Sequence, residues 1–535
     1  GLSKLSYLSL SYNQLTTLGE FNLPSLRYLD LSNNSLTHLN GIENSTLLNR
    51  LFMSHNEIAD LSLLSTLDQL YQLSKLEGLP PTGALQHLSA ANNSINDISA
   101  LTPLSELSRL YLQHNRITDL NALESINSLS ILRLDGNDIS DLSPLADHLD
   151  LRVLYAQNNR ITSTNGLANK TSLSQARLAN NLINDISQLS DNTLLKNLDL
   201  TDNHVSDIST LSNLSVMERL DLSQNYVTNI DALTNMMNLT YLDTANNNIK
   251  DIQPLANLNQ LNHINLAKNQ LKDITALSSL TSLTELNLAG NNISDISPID
   301  QQTTITQLNL DNTGVSQLDD LIKLNNLTEL SLAQNNITDI SQLSQLASLT
   351  TLNLHSTSVD NIDVLESLPR LSHLNLANTR IPNLTPLTSL NELAILNLEN
   401  TNVNTETIVE LAKLSNLTDL NLARNEISDI PSLQSLTKLQ TINVSYNNIT
   451  DLSFLDSNVT LNALQAQYNP LSNLGNLSIH DNLTELDLGF ISSDLVTIEF
   501  SINLLASLTN FVNIRTLGIG GLQLTNLMIT PLAAL

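Results

Sequence analysis

Apolar residues return along this chain in a phrase of fixed spacing, L-x-x-L-x-L-x-x-N-x-I-x-D-I, written at residues 283–296 as LTELNLAGNNISDI. Around its second and third leucines the alternation is that of a short strand. Leu286 and Leu288 point to one side, and Glu285, Asn287 and Ala289 to the other. The Asn at the ninth position turns the chain, and its amide can donate to and accept from backbone groups that a buried turn would leave orphaned. Ile293 and Ile296 carry the apolar side around the bend, where Asp295 or Ser297 can cap a short helical turn. A single coil cannot bury its own leucines; a stack of coils can.

The ninth position is what repeats most strictly. It falls at Asn13, Asn34 and Asn56, then runs without a slip from Asn93 to Thr401 in fourteen steps of 22 residues. The ladder so predicted is Asn93, Asn115, Asn137, Asn159, Asn181, Asn203, Asn225, Asn247, Asn269 and Asn291, with Asn335 later and Thr substituting at Thr313, Thr357, Thr379 and Thr401. Coils carrying Thr should be slightly less well bonded. The step resumes at Asn425, Asn447 and Asn469. This predicts an α/β solenoid over residues 1–475, with a curved parallel β-sheet on the concave face and short 3-10 or helical turns on the convex face. About 23 coils at roughly 4.8 Å per strand would run on the order of 110 Å along the arc.

Three stretches depart from the step. Between Asn56 and Asn93 an insert at about 62–82 repeats leucine every third residue from Leu61 to Leu79. It predicts an amphipathic helix over 62–78 on the convex side, ended by Gly78 and Pro80-Pro81, or else a degenerate extra coil. Residues 405–413 (TETIVELAK) carry two extra residues and predict a helical turn on the same side. After Asn469 the code decays, with Ile491 and then Leu522 at the ladder position and β-rich text at 495–500, so 476–535 reads as degenerate C-terminal repeats or a cap.

The phrase N-x-I-[ST]-D-I-S-P-[LI], seen at 137–145 (NDISDLSPL) and 291–299 (NNISDISPI), closely resembles the 22-residue leucine-rich repeats of the bacterial internalin family. The resemblance covers roughly residues 1–475 and implies a leucine-rich-repeat solenoid with a concave ligand face. It also implies a bacterial adhesin or host-interaction role at the cell surface or outside the cell. The family's N-terminal cap, downstream domain and wall-anchoring and targeting segments are not recognisable among these residues, so attachment rests on the resemblance alone.

Composition narrows the function further. A formal charge of −29 and a pI near 4.4 oppose binding to phosphate backbones or anionic membranes. With no cysteine, disulfides, thiolate metal sites and cysteine nucleophiles are excluded. No run approaches the roughly 18 apolar residues of a membrane span. No Gly-rich phosphate loop, H-E-x-x-H or G-x-S-x-G occurs, so the chain reads as a non-enzyme without cofactor or metal.

What remains is the outward side of the strands. From the middle of the chain onward the fifth template position repeats Asn (Asn265, Asn287, Asn309, Asn353, Asn375, Asn397, Asn421, Asn443), which predicts amides bonded along the sheet. The N-terminal third instead places Tyr7, Tyr12, Tyr28, Phe52, His55, His87, Tyr111, His114 and Tyr155 there, with Arg27, Arg50, Arg109, Arg133 and Arg152 among them. Tyr and Arg most often anchor protein interfaces, so this third is expected to carry a protein partner, a surface glycan being the weaker alternative. Cross-strand stacking of good β-formers is the structural explanation to set beside it. Tyr446, Tyr468 and Arg424 form a smaller second cluster. His55, His87 and His114 differ in template position and do not predict a metal site. The aspartates of the D-I phrase should stack at one convex corner as caps. Two other functions stay open: a scaffold subunit of a larger surface assembly, and an intracellular leucine-rich-repeat regulator.

Overall fold

The computed structural model describes residues 2–19, 22–67, 84–431, 433–477, 480–489, 513–521 and 529. It divides into two compact units, Gly1–Leu271 and Lys272–Leu535, built from the same coil. In the first unit each coil contributes one three-residue strand, from Tyr7–Ser9 to His263–Asn265, and each strand pairs in parallel with the next. In the second unit the strands run from Glu285–Asn287 to Thr516–Gly518 in the same way. Register is set by the central leucine: Leu110 lies against Leu88 and Leu132, which places every fourth template position in the interior.

Behind the strands the apolar columns close completely. In the coil of Asn115, Leu107, Leu110, Leu112, Ile117, Leu120, Leu123 and Ile126 are all buried. The return path is a short 3-10 helix such as Ser99–Leu101, Asn121–Leu123 or Ser297–Ile299. The preceding aspartate starts it: Asp97 Oδ1 accepts the Ser99 N–H at 2.8 Å, and Asp119, Asp141 and Asp207 do the same for Asn121, Ser143 and Ser209.

The ninth-position Asn joins coil to coil. Asn115 Nδ2 donates to its own coil at Leu112 O and to the preceding coil at Ala90 O, both 3.0 Å, while its Oδ1 accepts the Ile95 N–H at 3.0 Å. The pattern recurs at Asn93, Asn137, Asn159, Asn181, Asn203, Asn225, Asn247 and Asn269. Asn291 donates to Leu288 O within its own coil. Thr313, Thr357 and Thr401 donate to the carbonyl three residues back, at 2.7–2.8 Å, as an Asn does within its own coil. A hydroxyl has one proton to give where the amide has two.

Of the insert, residues 64–67 are helical, with Leu61, Leu64 and Leu67 buried, and the rest of the expected helix lies outside the described residues. The extra residues near 405–413 form the 3-10 helix Ile408–Lys413. Near the C-terminus, strands Glu485–Asp487 and Thr516–Gly518 pair in parallel. Ile491, Leu522 and the text at 495–500 lie outside the described residues.

Candidate functional site

The third and fifth template positions flank each buried leucine and face outward, so side chains on successive strands stand about 4.8 Å apart. In the first unit that spacing turns separate aromatic residues into one run. The rings of Tyr7 and Tyr28 stack at 4.3 Å and 13°; Tyr28 meets Phe52 at 5.2 Å, Phe52 meets His87 at 4.8 Å, and His87 meets Tyr111 at 5.1 Å. The run crosses between the two positions as it goes, since Tyr28 aligns with Arg50 and His87 with Arg109 in register. Beyond Tyr111 the fifth position continues with Arg133, Tyr155 and Arg177. The two guanidinium groups lie 5.2 and 4.6 Å from the Tyr155 ring, and the Tyr155 hydroxyl donates to Gln175 Oε1 at 3.0 Å. Burial, then the charges of Arg109 and Arg50, hold the His87 imidazole down to about 4, so it is neutral in this run at ordinary pH.

Other expected residues stand elsewhere. Tyr12, His55 and His114 occupy the eighth position, which is not on the strand face but on the turn at its end, with φ of 56°, 57° and 56°. They form a rim. His114 covers Gly136, where a Cβ would lie 2.5 Å from Nδ1. Arg152 precedes its strand, and its carbonyl receives the Ser174 N–H. Arg27 does the same one position before Tyr28, receiving the Asn49 N–H. Arg50 and Arg109 are exposed beside His87. The three histidines are not brought together, and among the described residues no group of His, Asp or Glu has the form of a metal site.

The repeated fifth-position Asn does something other than expected. Its oxygen chiefly accepts the N–H two residues on in its own coil: Asn265 from Ala267 at 3.2 Å, Asn287 from Ala289 at 3.1 Å, Asn397 from Glu399 at 3.0 Å. Bonds along the sheet are fewer, as from Asn265 Nδ2 to Asp243 Oδ2 at 2.8 Å and Asn353 Nδ2 to Ser331 Oγ at 2.9 Å. Asp30, Asp199, Asp221 and Asp243 make the same turn. Phe52, Tyr111, Arg133, Tyr155 and Arg177 sit where this acceptor belongs and cannot supply it.

Sequence reasoning also passed over a second group in the same unit. Arg219 lies 3.3 Å over the Tyr241 ring, which stacks on His263 at 4.3 Å and 7°. Beside them Asp199, Asp221 and Asp243 align on neighbouring strands. The signal lay in the third template position, where Arg219, Tyr241 and His263 follow one another on consecutive strands.

In the second unit the later cluster forms a rim of its own. Glu399 pairs with Arg424 at 3.2 Å, Arg424 lies 4.1 Å over Tyr446, and Tyr446 stacks on Tyr468 at 4.2 Å. A depression of about 260 Å³ lies on the strand face between Ile395 and Gln465.

The family profile described as Leucine Rich repeats (2 copies) matches residues 3–44, 84–125, 215–257, 259–301, 325–367 and 415–457. An internalin, InlF, from Listeria monocytogenes is 31% identical in sequence, over 64% of this chain and 89% of its own, with a TM-score of 0.49. The Arabidopsis receptor kinase HAESA, solved with the peptide hormone IDA and the co-receptor SERK1, is 21% identical over 98% of this chain and 92% of its own, with a TM-score of 0.61. A TDR receptor is 19% identical over 91% and 89%, with a TM-score of 0.64. No curated protein matches the chain.

Proposed function

The chain belongs to the leucine-rich-repeat proteins, with internalin-like repeats, and on that footing we propose that it is a non-enzymatic recognition protein of the bacterial surface or exterior. Its partner is a protein, seated on the strand face of Gly1–Leu271 against the run from Tyr7 to Arg177. One observation carries this reading. Where most coils place an Asn or Asp that closes a turn, four neighbouring coils place Tyr111, Arg133, Tyr155 and Arg177. Replacing a turn-forming residue with one that cannot make the bond forgoes stabilisation of about 1 kcal/mol each. Sheet packing alone does not call for that, whereas a contact surface does. A preformed strand face also spends little ordering entropy when a partner docks. Neighbours of the same fold solved with peptide or protein ligands, HAESA among them, support the same kind of use.

The test is capture from host-cell or neighbouring-cell extracts, followed by titration of the recovered partner, with the native chain and a Tyr28→Ala, Tyr111→Ala, Tyr155→Ala variant of unchanged melting temperature. Anchoring rings contribute about 2 kcal/mol each, so the variant should lose well over tenfold in affinity. Equal binding by both would make the aromatic run mere sheet surface and bring the scaffold role forward.

A further inference from the structure

The strand face of the first unit changes sign along its length. Arg133 and Arg177 flank Tyr155; on the very next strands the same position holds Asp199, Asp221 and Asp243. Arg177 and Asp199 are direct partners in register, yet no ion pair joins them, because the guanidinium turns back over Tyr155 at 4.6 Å. Arg133 pairs with the buried Asp135 of its own coil, Nε to Oδ1 at 3.5 Å without a hydrogen bond, and a good part of its side chain stays exposed. On the acidic side no lysine or arginine pairs with the three carboxylates among the described residues. Arg219, on the strand of Asp221, lies over Tyr241 instead. Aromatic rings thus hold Arg177 and Arg219 away from the carboxylates of the same surface.

The negative charge of these acids is not what the turn requires. One oxygen of each closes the turn to Thr201, Ser223 or Ala245, a bond that the neutral Asn265 also makes one coil later, and Asp243 Oδ2 further accepts from Asn265 Nδ2. Three carboxylates about 4.8 Å apart repel one another. Burial, with Asp221 beside it, raises the Asp243 carboxyl above its ordinary value. A charge that the turn does not need and that its neighbours oppose is explained by something that docks on it.

Building on the proposed recognition role, we infer that the partner segment seated here is dipolar: an extended stretch of protein that sets a carboxylate against Arg133 and Arg177 and a lysine or arginine against Asp199, Asp221 and Asp243. From the strand of Arg177 to that of Asp221 is two steps, on the order of 10 Å. An extended chain crossing the strands covers that in about three residues. The partner motif is therefore an acidic and a basic residue about three apart, beside a side chain that meets the aromatic run. Apposed like charges at either end would fix the direction in which the segment lies.

The probe is a random-peptide library displayed on phage, panned against the full chain, with enriched peptides resynthesised and titrated by fluorescence anisotropy. Two variants remove charge: Asp221→Asn with Asp243→Asn, which keeps the turn acceptors, and Arg133→Gln with Arg177→Gln. The native chain should enrich peptides pairing an acid and a base at that spacing. The Asn variant should weaken them at least tenfold and drop the demand for the base; the Gln variant should drop the demand for the acid. Enriched peptides that need Tyr28, Tyr111 and Tyr155 but show no charge pair, or that bind the Asn variant unchanged, overturn the dipolar inference and leave the recognition reading standing. Binding that requires added calcium also overturns it. A library yielding no peptide dependent on those rings removes both.

Discussion

At the scale of the residue, the least legible feature was the backbone of the eighth template position. It lies in the left-handed region in coil after coil, at Asn92, Asn158, Asn180, Asp202, Asn246 and Gly136, and equally at Tyr12, His55, His114, Gln224 and Tyr446. Asn, Asp and Gly tolerate that conformation, and their recurrence was a usable signal; Tyr and His in the same place hid it, because side-chain type there is set by what the rim presents. Gly166, on the return path of its coil rather than at the eighth position, is a stricter case of the same left-handed backbone. At φ +89°, its added Cβ would meet Leu142 O at 2.0 Å, so Gly166→Ala should lower unfolding stability by roughly 3 kcal/mol or more in urea titration. At exposed Gln224, φ 56°, the change to Gly should instead stabilise by about 0.5 to 1 kcal/mol. A loss at Gln224 would mean that its side chain holds a contact worth more than the strain.

At the scale of the element, the ladder Asn, the strand and the 3-10 turn were all readable, because each is a local consequence of spacing. A second polar column on the convex side was not. Eleven residues past each ladder position most coils bury an apolar side chain, such as Leu104, Ile126, Leu214 or Met236, but the column also contains His148, Lys170 and Asn192, all buried. Lys170 and Asn192 are tolerated because the preceding coil offers carbonyls, Lys170 Nζ donating to Ala146 O at 2.5 Å and Asn192 Nδ2 to Leu167 O at 3.0 Å, whereas both ring nitrogens of His148 are buried without a hydrogen-bond partner. In the second unit Gln302 and Asn458 use Leu277 O and Leu433 O in the same manner. His148 is held neutral chiefly by burial, with Lys170 opposing its charge; the nearby Leu145 and Leu123 backbone and the charge of Asp147 act the other way without prevailing. Its folded pKa lies below the unfolded value, so the unfolded chain binds the extra proton. Stability therefore falls as pH drops through about 6.5 towards the folded pKa. His148→Leu should raise the melting temperature at pH 5 relative to native and flatten the slope between pH 7 and 5. An unchanged slope would place the acid sensitivity elsewhere. The cap aspartates act in a separate window: bonds from Ser99 and Ser209 hold Asp97 and Asp207 below the ordinary carboxylate value, and that stabilisation is lost only as pH falls below about 4.

At the scale of the whole molecule, the dominant quantity is the charge of −29, which repels polyanions at any approach. The exposed arginines of the first unit do not reverse that, since they are few and share their face with Asp199, Asp221 and Asp243. Neither duplex DNA nor single-stranded RNA should be retarded by the protein in gel-shift at physiological salt. Retardation there would show that local basic positions outweigh the net field. Among the described residues no helix is long and apolar enough to cross a membrane.

The coil was legible from the residues alone, with its strand, its turn, its buried leucines and its Asn, because all of them depend on neighbours within one repeat or on the similar repeat beside it. So was the aromatic third, since outward Tyr and Phe are visible once the period is known. Which of those residues meet depends on packing between coils. Tyr28 reaches Phe52 and His87 reaches Tyr111 by diagonal contact between strands, and Arg177 chooses the ring of Tyr155 over the carboxylate of Asp199. The repeat sets each side chain's position but not its rotamer or its neighbour's demand. Partnership between coils is settled by packing and charge across the sheet, on distances that no single repeat encodes.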